Sequence, residues 1–119
     1  MDIKQSDTEA VVRNHLQAFL DQKGIGAIVR DYDDDARFIS EGRTYHGRLE
    51  ISDFFEDFIA SLPPQAINRF SLRSLRVEGD MAYITWSVGH EIPQGTDTFV
   101  VSNGKIVSQT FAMYTAPSL

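Results

Sequence analysis

The chain reads as an α+β domain, with three helices in its first half and one mostly antiparallel sheet in its second. Two observations predict this. Before Pro63, apolar residues recur at three- and four-residue spacing, the period of a helix with one buried face. After Ala66 the composition turns to β-branched and aromatic residues, punctuated by turn-forming pairs. Helices ahead of a single curved sheet must cover its concave face, since each element has one apolar side to bury. With 119 residues the chain forms one domain, 1–119, with no repeat or linker to divide it.

Ser6-Asp7-Thr8-Glu9 has the form of a capping box, in which the serine hydroxyl and the glutamate satisfy free amides of a first helical turn. Behind it Val12, Leu16, Phe19 and Leu20 give a helix that ends near Lys23-Gly24. Ile25, Ile28, Val29 and Tyr32 suit a short second helix. Asp33-Asp34-Asp35 then opposes the helix macrodipole and is expected to mark the exit as a solvated turn. Ala36 to Ser40 reads as a strand, with Arg43 to His46 as its weaker partner. Ile51, Phe54, Phe55, Phe58, Ile59 and Leu62 form the cleanest helical stripe, stopped by Pro63-Pro64 because proline lacks the amide.

Four strands follow: Ala66 to Glu78, Met81 to Ile92, Thr96 to Asn103 and Lys105 to Thr115. Gly79-Asp80, Pro93-Gln94-Gly95 and Asn103-Gly104 are the expected turns, which makes the sheet a meander.

Composition excludes several functions. Eleven Lys and Arg against seventeen Asp and Glu leave a formal charge of −6. Neither a nucleic acid nor an anionic membrane surface is an expected partner, because both require a basic footprint. Cysteine is absent, so disulfides, thiolate nucleophiles and cysteine-based metal sites are ruled out. Met1 to Asp7 lacks the apolar core of a signal peptide, and no apolar run approaches the roughly 20 residues of a membrane span. A cytoplasmic location is the expectation. Three scattered histidines without paired spacing predict no metal, and no cofactor is expected.

Strand alternation predicts which side chains look inward. Ile84, Trp86, Val88 and His90 share one face; Asp97, Phe99 and Val101 share another; Val107, Gln109, Phe111 and Met113 share a third. Asp97, His90 and Gln109 are then the polar atoms offered to a ligand. A carboxyl group among Phe99, Trp86 and Phe111 has its pKa raised by desolvation and suits acid or base work. His90 is the second catalytic candidate, because imidazole titrates near neutrality. Tyr32, Phe38, Phe55 and Phe58 complete the expected pocket with Trp86, Phe99, Gln109, Phe111 and Met113. His15 reads as polar-face and His46 as a turn or capping residue. Tyr45 and Tyr114 are further possible donors, and Arg30, Arg37, Arg43 and Arg48 read as surface residues.

Tyr32-Asp33-Asp34-Asp35-Ala36, Tyr45-His46-Gly47-Arg48, the phenylalanine-rich helix after Ile51, Gly95-Thr96-Asp97-Thr98-Phe99 and Asn103-Gly104-Lys105-Ile106-Val107 together resemble the SnoaL-like proteins. That group sits in the superfamily of ketosteroid isomerases, polyketide cyclases and nuclear transport factor 2. The resemblance spans nearly the whole chain. It implies a cone, a strongly curved sheet around the long helix with an apolar cavity, and a homodimer through the outer sheet face. It places Asp97 at or beside an acid that the isomerases keep protonated to donate a hydrogen bond.

The chain departs from that pattern elsewhere. Ser40, followed by Glu41, stands where the isomerase base belongs, Leu16 near an oxyanion tyrosine and Phe55 near its supporting tyrosine; Tyr32 alone keeps its hydroxyl. Without those donors steroid isomerisation is not expected. Three readings therefore compete. One is a cofactor-independent enzyme of proton transfer (cyclisation, isomerisation or dehydration) on a small hydrophobic molecule. The others are a non-catalytic small-ligand-binding module and a dimeric interaction scaffold.

Overall fold

The computed structural model describes residues 3–117; Met1 and Asp2 of the polar N-terminal stretch lie outside them. The elements run α1 (Ile3–Leu20), α2 (Ile25–Val29), β1 (Tyr32–Ile39), β2 (Thr44–His46), α3 (Gly47–Ser61), a 3₁₀ turn (Ala66–Arg69), β3 (Phe70–Glu78), β4 (Met81–Val88), β5 (Ile92–Ser102) and β6 (Lys105–Tyr114). All six strands form one sheet in the order β2-β1-β6-β5-β4-β3. Only β1 and β6 run parallel. The expected meander is β3 through β6, each paired with the next.

Several boundaries differ from the sequence expectations. α1 begins at Ile3, so Ser6 to Glu9 lie within the helix rather than at its start. Thr8 turns inward there, and its hydroxyl lies 2.9 Å from the Lys4 carbonyl and 2.8 Å from that of Gly79. The helix is held by docking on the β3–β4 turn, which outweighs the local capping signal.

Asp33-Asp34-Asp35 lies in β1, not in a turn. Tyr32 pairs with Ile106 and Arg37 with Ser108, so four residues of β1 are spread against one of β6. The acidic run is this bulge, and Asp34 and Asp35 are exposed. Arg48 clamps it: its Nη1 meets Asp34 at 2.9 Å and its Nε donates to the Tyr32 carbonyl at 2.7 Å. Gly47 permits the entry into α3 with φ 78°, and a Cβ there would lie 3.1 Å from the Asp34 carbonyl oxygen. His46 is the N-cap of that helix, and its amide donates to the Glu50 carboxylate.

Ala66 to Arg69 is a 3₁₀ turn rather than the start of a strand. β4 ends at Val88, two residues before His90, and the chain turns at Gly89–Glu91. Pro93-Gln94-Gly95 is consequently inside β5. Val88 faces Ile92 and Trp86 faces Gly95, so Pro93 and Gln94 occupy a bulge opposite Ser87. A bulge tolerates proline because its missing amide breaks no ladder bond.

The core lies between the helices and one sheet face. Val12 of α1, Ile28 of α2, Ile51 and Phe55 of α3, Phe38 of β1, Ile84 of β4, Phe99 of β5 and Ile106 of β6 are buried together. No described helix is long and apolar enough to cross a membrane.

Candidate functional site

The last three strands of the meander carry Trp86, Asp97 and Gln109, whose polar atoms meet in the core. Asp97 on β5 faces Ile84 of β4 and Phe111 of β6. Gln109 on β6 faces Phe99 of β5 on one side and Phe38 of β1 on the other. Asp97 and Gln109 are diagonal neighbours on the inner face, close enough to bond. Trp86 on β4 lies flat over Gly95, where a Cβ would come within 2.1 Å of the indole. Glycine at that position is what lets the ring reach across to Asp97.

The result is a row of hydrogen bonds through Asp97 and Gln109. Trp86 Nε1–H donates to Asp97 Oδ1 at 2.7 Å, and Gln109 Nε2–H donates to Asp97 Oδ2 at 2.7 Å. Tyr32 donates to Gln109 Oε1 at 2.5 Å, and the same hydroxyl lies 3.4 Å from His15 Nε2. His15 Nδ1 is 3.3 Å from the Ile28 carbonyl. A carbonyl only accepts, so Nδ1 carries the proton and Nε2 is bare. With the Tyr32 proton on Gln109, the bare Nε2 meets only lone pairs of that hydroxyl, and the other polar atoms of the set are paired.

Burial dominates the electrostatics. Desolvation raises the Asp97 pKa to about 6, against the pull of the Trp86 and Gln109 bonds. Desolvation lowers His15 to about 4, partly offset by its bond to Ile28. Tyr32 is raised well above its usual value by burial and then by the Asp97 charge. At neutral pH the group is a carboxylate, a neutral imidazole and a neutral phenol.

A carboxylate offers about four lone-pair positions. Two on Asp97 are filled by donors, and the others remain for a proton or a ligand. Beside it lies a cavity with about 50 Å³ of free volume. Its wall includes Asp97, Gln109, Trp86, Phe38, Phe55, Phe58, Phe99 and Phe111, as the strand and helix periods predict.

Two expected pocket residues lie elsewhere. Tyr32 is fully buried behind Gln109 and acts through it, while Met113 stands outside the wall near the β4–β5 turn. His90 is in that turn, exposed and apart from Asp97, so the two catalytic candidates are not brought together. The reason is the early end of β4: the inward alternation stops at Val88. Ser40 bonds the Arg43 carbonyl in the β1–β2 turn, also away from the cavity. Tyr45 packs on Phe38 and Phe54 beneath the Arg43 guanidinium, and none of the arginines lines the cavity.

Sequence reasoning missed His15. It is 4% exposed, lines the cavity, and meets the Tyr32, Phe55 and Phe99 rings edge-on. It lies three residues after Val12 and four before Phe19, on the helical stripe itself, a signal overridden by the polarity of imidazole. Phe19, Phe54 and Phe70 were also not assigned to the wall. Among the described residues, no group of three His, Asp or Glu side chains is placed to hold a metal ion.

Residues 12–109 match the family model of the SnoaL-like domain. The chain belongs to that family. A SnoaL-like assignment agrees with its structural neighbours. One is a nuclear transport factor 2-like protein of unknown function from Burkholderia xenovorans LB400, 20% identical, with TM-score 0.78 over 99% of this chain and 91% of that one. Another is a ketosteroid isomerase-like protein from Erwinia carotovora atroseptica SCRI1043, 14% identical, with TM-score 0.66 over 98% and 100%. A de novo designed protein with a curved β-sheet is 19% identical, with TM-score 0.76 over 96% and 88%. No curated protein matches the chain. A designed protein and an isomerase-like one share this SnoaL-like architecture, so at these identities the likeness carries fold alone.

Proposed function

We propose that this SnoaL-like protein binds one small, largely apolar molecule in the aromatic cavity and exchanges a proton with it through Asp97, without a cofactor. The observation that carries the reading is the arrangement of the Asp97 carboxyl. It is buried, fixed by two donors, and has lone pairs left over beside a cavity. Because Trp86 and Gln109 occupy one position on each oxygen, a proton taken up by Asp97 goes to an unfilled position. A pKa of about 6 suits proton exchange near neutrality. Gln109 holds Asp97 directly and Tyr32 acts on it through Gln109, so both are positioning residues in this reading.

The test is turnover on a panel of small ketones, hydroxy compounds and unsaturated carbonyls, together with their amine-bearing analogues, with wild type beside Asp97→Asn. Loss of about 10²- to 10⁴-fold in the variant is expected, with an acid limb near pH 6 in the wild-type profile. Equal rates for the two proteins would take Asp97 out of the chemistry. Ligand binding without turnover would leave the binding-module reading in its place.

A separate observation supports a homodimer through the outer sheet face. Met81 and Tyr83 of β4 are 48% and 41% exposed there, beside the semi-polar Thr85, Ser108 and Thr110. Light scattering should give twice the chain mass, and Tyr83→Arg should return it to the monomer. A monomeric wild type at micromolar concentration would dismiss the dimer.

A further inference from the structure

The cavity is unusual in its balance of charge. Asp97 is 7% exposed and no lysine or arginine lines the wall around it. The ion pairs of the described residues (Arg13–Glu9, Arg43–Glu50, Arg48–Asp34 and Arg69–Glu91) all lie toward the surface. The other titratable groups facing Asp97 are His15 from α1 and Tyr32 from β1, both neutral at pH 7. A buried carboxylate without a counter-charge is costly, and two hydrogen bonds offset only part of that cost. The unliganded site can relieve the remainder by taking a proton.

The walls add a second preference. Phenylalanine from α1, α3, β1, β3, β5 and β6 and tryptophan from β4 line the same space. Aromatic faces are electron-rich, and a cation within about 6 Å of a ring centroid is attracted to them. An anionic ligand would meet the carboxylate unfavourably. A neutral ligand would leave the buried charge where it was. The net charge of −6 also favours the approach of cations over anions.

We infer that the ligand of this cavity carries a positive charge: a protonated amine or a quaternary ammonium group with an apolar body, its charge set against Asp97 and the surrounding rings. This rests on the reading of the cavity as a small-molecule site and names the class of molecule it takes. The size agrees. About 50 Å³ of free volume accommodates roughly four heavy atoms, near the size of a methylated ammonium head. Any longer body extends past Phe19, Leu62, Ala66 and Ile67, which separate the cavity from an outer groove between the α1–α2 turn and the 3₁₀ turn.

Two probes of matched size, tetramethylammonium and tert-butanol, test this beside the larger anion pivalate. The chain has one tryptophan, and its indole N–H is the donor to Asp97. The single indole cross-peak in a ¹⁵N–¹H spectrum of wild-type protein therefore reports binding at this site without any mutation. Tetramethylammonium is expected to bind at least tenfold more tightly than tert-butanol at pH 8, with pivalate weakest. Its affinity should fall about tenfold at pH 5, where Asp97 is about nine-tenths protonated. In Asp97→Asn the preference for the cation over tert-butanol should vanish. Tighter binding of tert-butanol or pivalate would overturn the cation assignment while leaving a small-molecule site in place. Movement of the indole signal by none of the three would overturn both.

Discussion

Gly95 faces Trp86 across the β4–β5 ladder, and the indole occupies the space that any side chain there would need. Gly95→Ala forces the ring off Asp97, because the nearest atoms are those of a rigid indole, not a flexible chain end. A cost of about 1–3 kcal/mol in stability is expected from overpacking. Tryptophan fluorescence should change with it, and denaturant unfolding measures the loss. An alanine variant with unchanged emission and midpoint would show that the ring has another place to lie. Tyr32 has a comparable role at the other end of the set. Its hydroxyl has one proton, which goes to Gln109, leaving the amide to donate to the carboxylate. Tyr32→Phe should therefore loosen Gln109 and raise the Asp97 titration further, readable as an upward shift of the carboxyl ¹³C midpoint. A midpoint that stays put would detach Tyr32 from the site.

At the scale of elements, α1 is attached to the sheet by a hydroxyl as well as by its apolar stripe. Thr8 lies between the carbonyls of Lys4 and Gly79, so one buried side chain joins the helix to the β3–β4 turn. Thr8→Val keeps the shape and removes the donor, and should lower stability by about 1–2 kcal/mol in urea unfolding. A neutral result would mean the Gly79 carbonyl finds another donor. The same contact explains why the start of α1 was not legible in the sequence. A local capping signal at Ser6 to Glu9 competed with a tertiary one and lost. α3 and the meander were legible, because Ile51 to Leu62 keeps the helical period and the later strands keep alternation across good turns. The inward placement of Trp86, Asp97 and Gln109 followed from that alternation. His90 failed because alternation was carried past Val88, and Gly89 at φ 51° had already turned the chain. His15 failed because its type, not its spacing, decided the face. Asp34 and Asp35 face solvent as expected, but the charge of the run suggested a turn and hid a strand whose bulge could only be seen from the register with β6.

For the whole molecule, the two buried groups that titrate below neutrality, Asp97 and His15, act on stability with opposite signs. Asp97 is raised from 3.8 to about 6, so its protonated form stabilises the fold below pH 3.8 and that contribution is lost as pH rises through 6. His15 is lowered from 6.5 to about 4, so its contribution is present above pH 6.5 and is lost as pH falls through 4. Each is worth about 3 kcal/mol, and between pH 4 and 6 they largely cancel. Melting temperature in wild type should be nearly flat across that window. Asp97→Asn should make it rise with pH, through His15 alone, and His15→Gln should make it fall. Parallel curves for the two variants would contradict the assignment.

The parallel pairing of β1 with β6 has a consequence for the order in which the protein can be made. Arg37 and Ser108 meet in the sheet, although most of the chain separates them. β1, with β2 beyond it, reaches the rest of the sheet only through β6. A ribosome that has released α1 through β5 has therefore made both halves of the sheet without the strand that joins them. Until Lys105–Tyr114 emerges, β1 and β5 each expose an unpaired edge, and the carboxyl of Asp97 has no Gln109 to hold it. Contacts of such sequence separation close slowly. A nascent chain stopped at Ser102 should be digested readily by protease, and one extended past Tyr114 should resist.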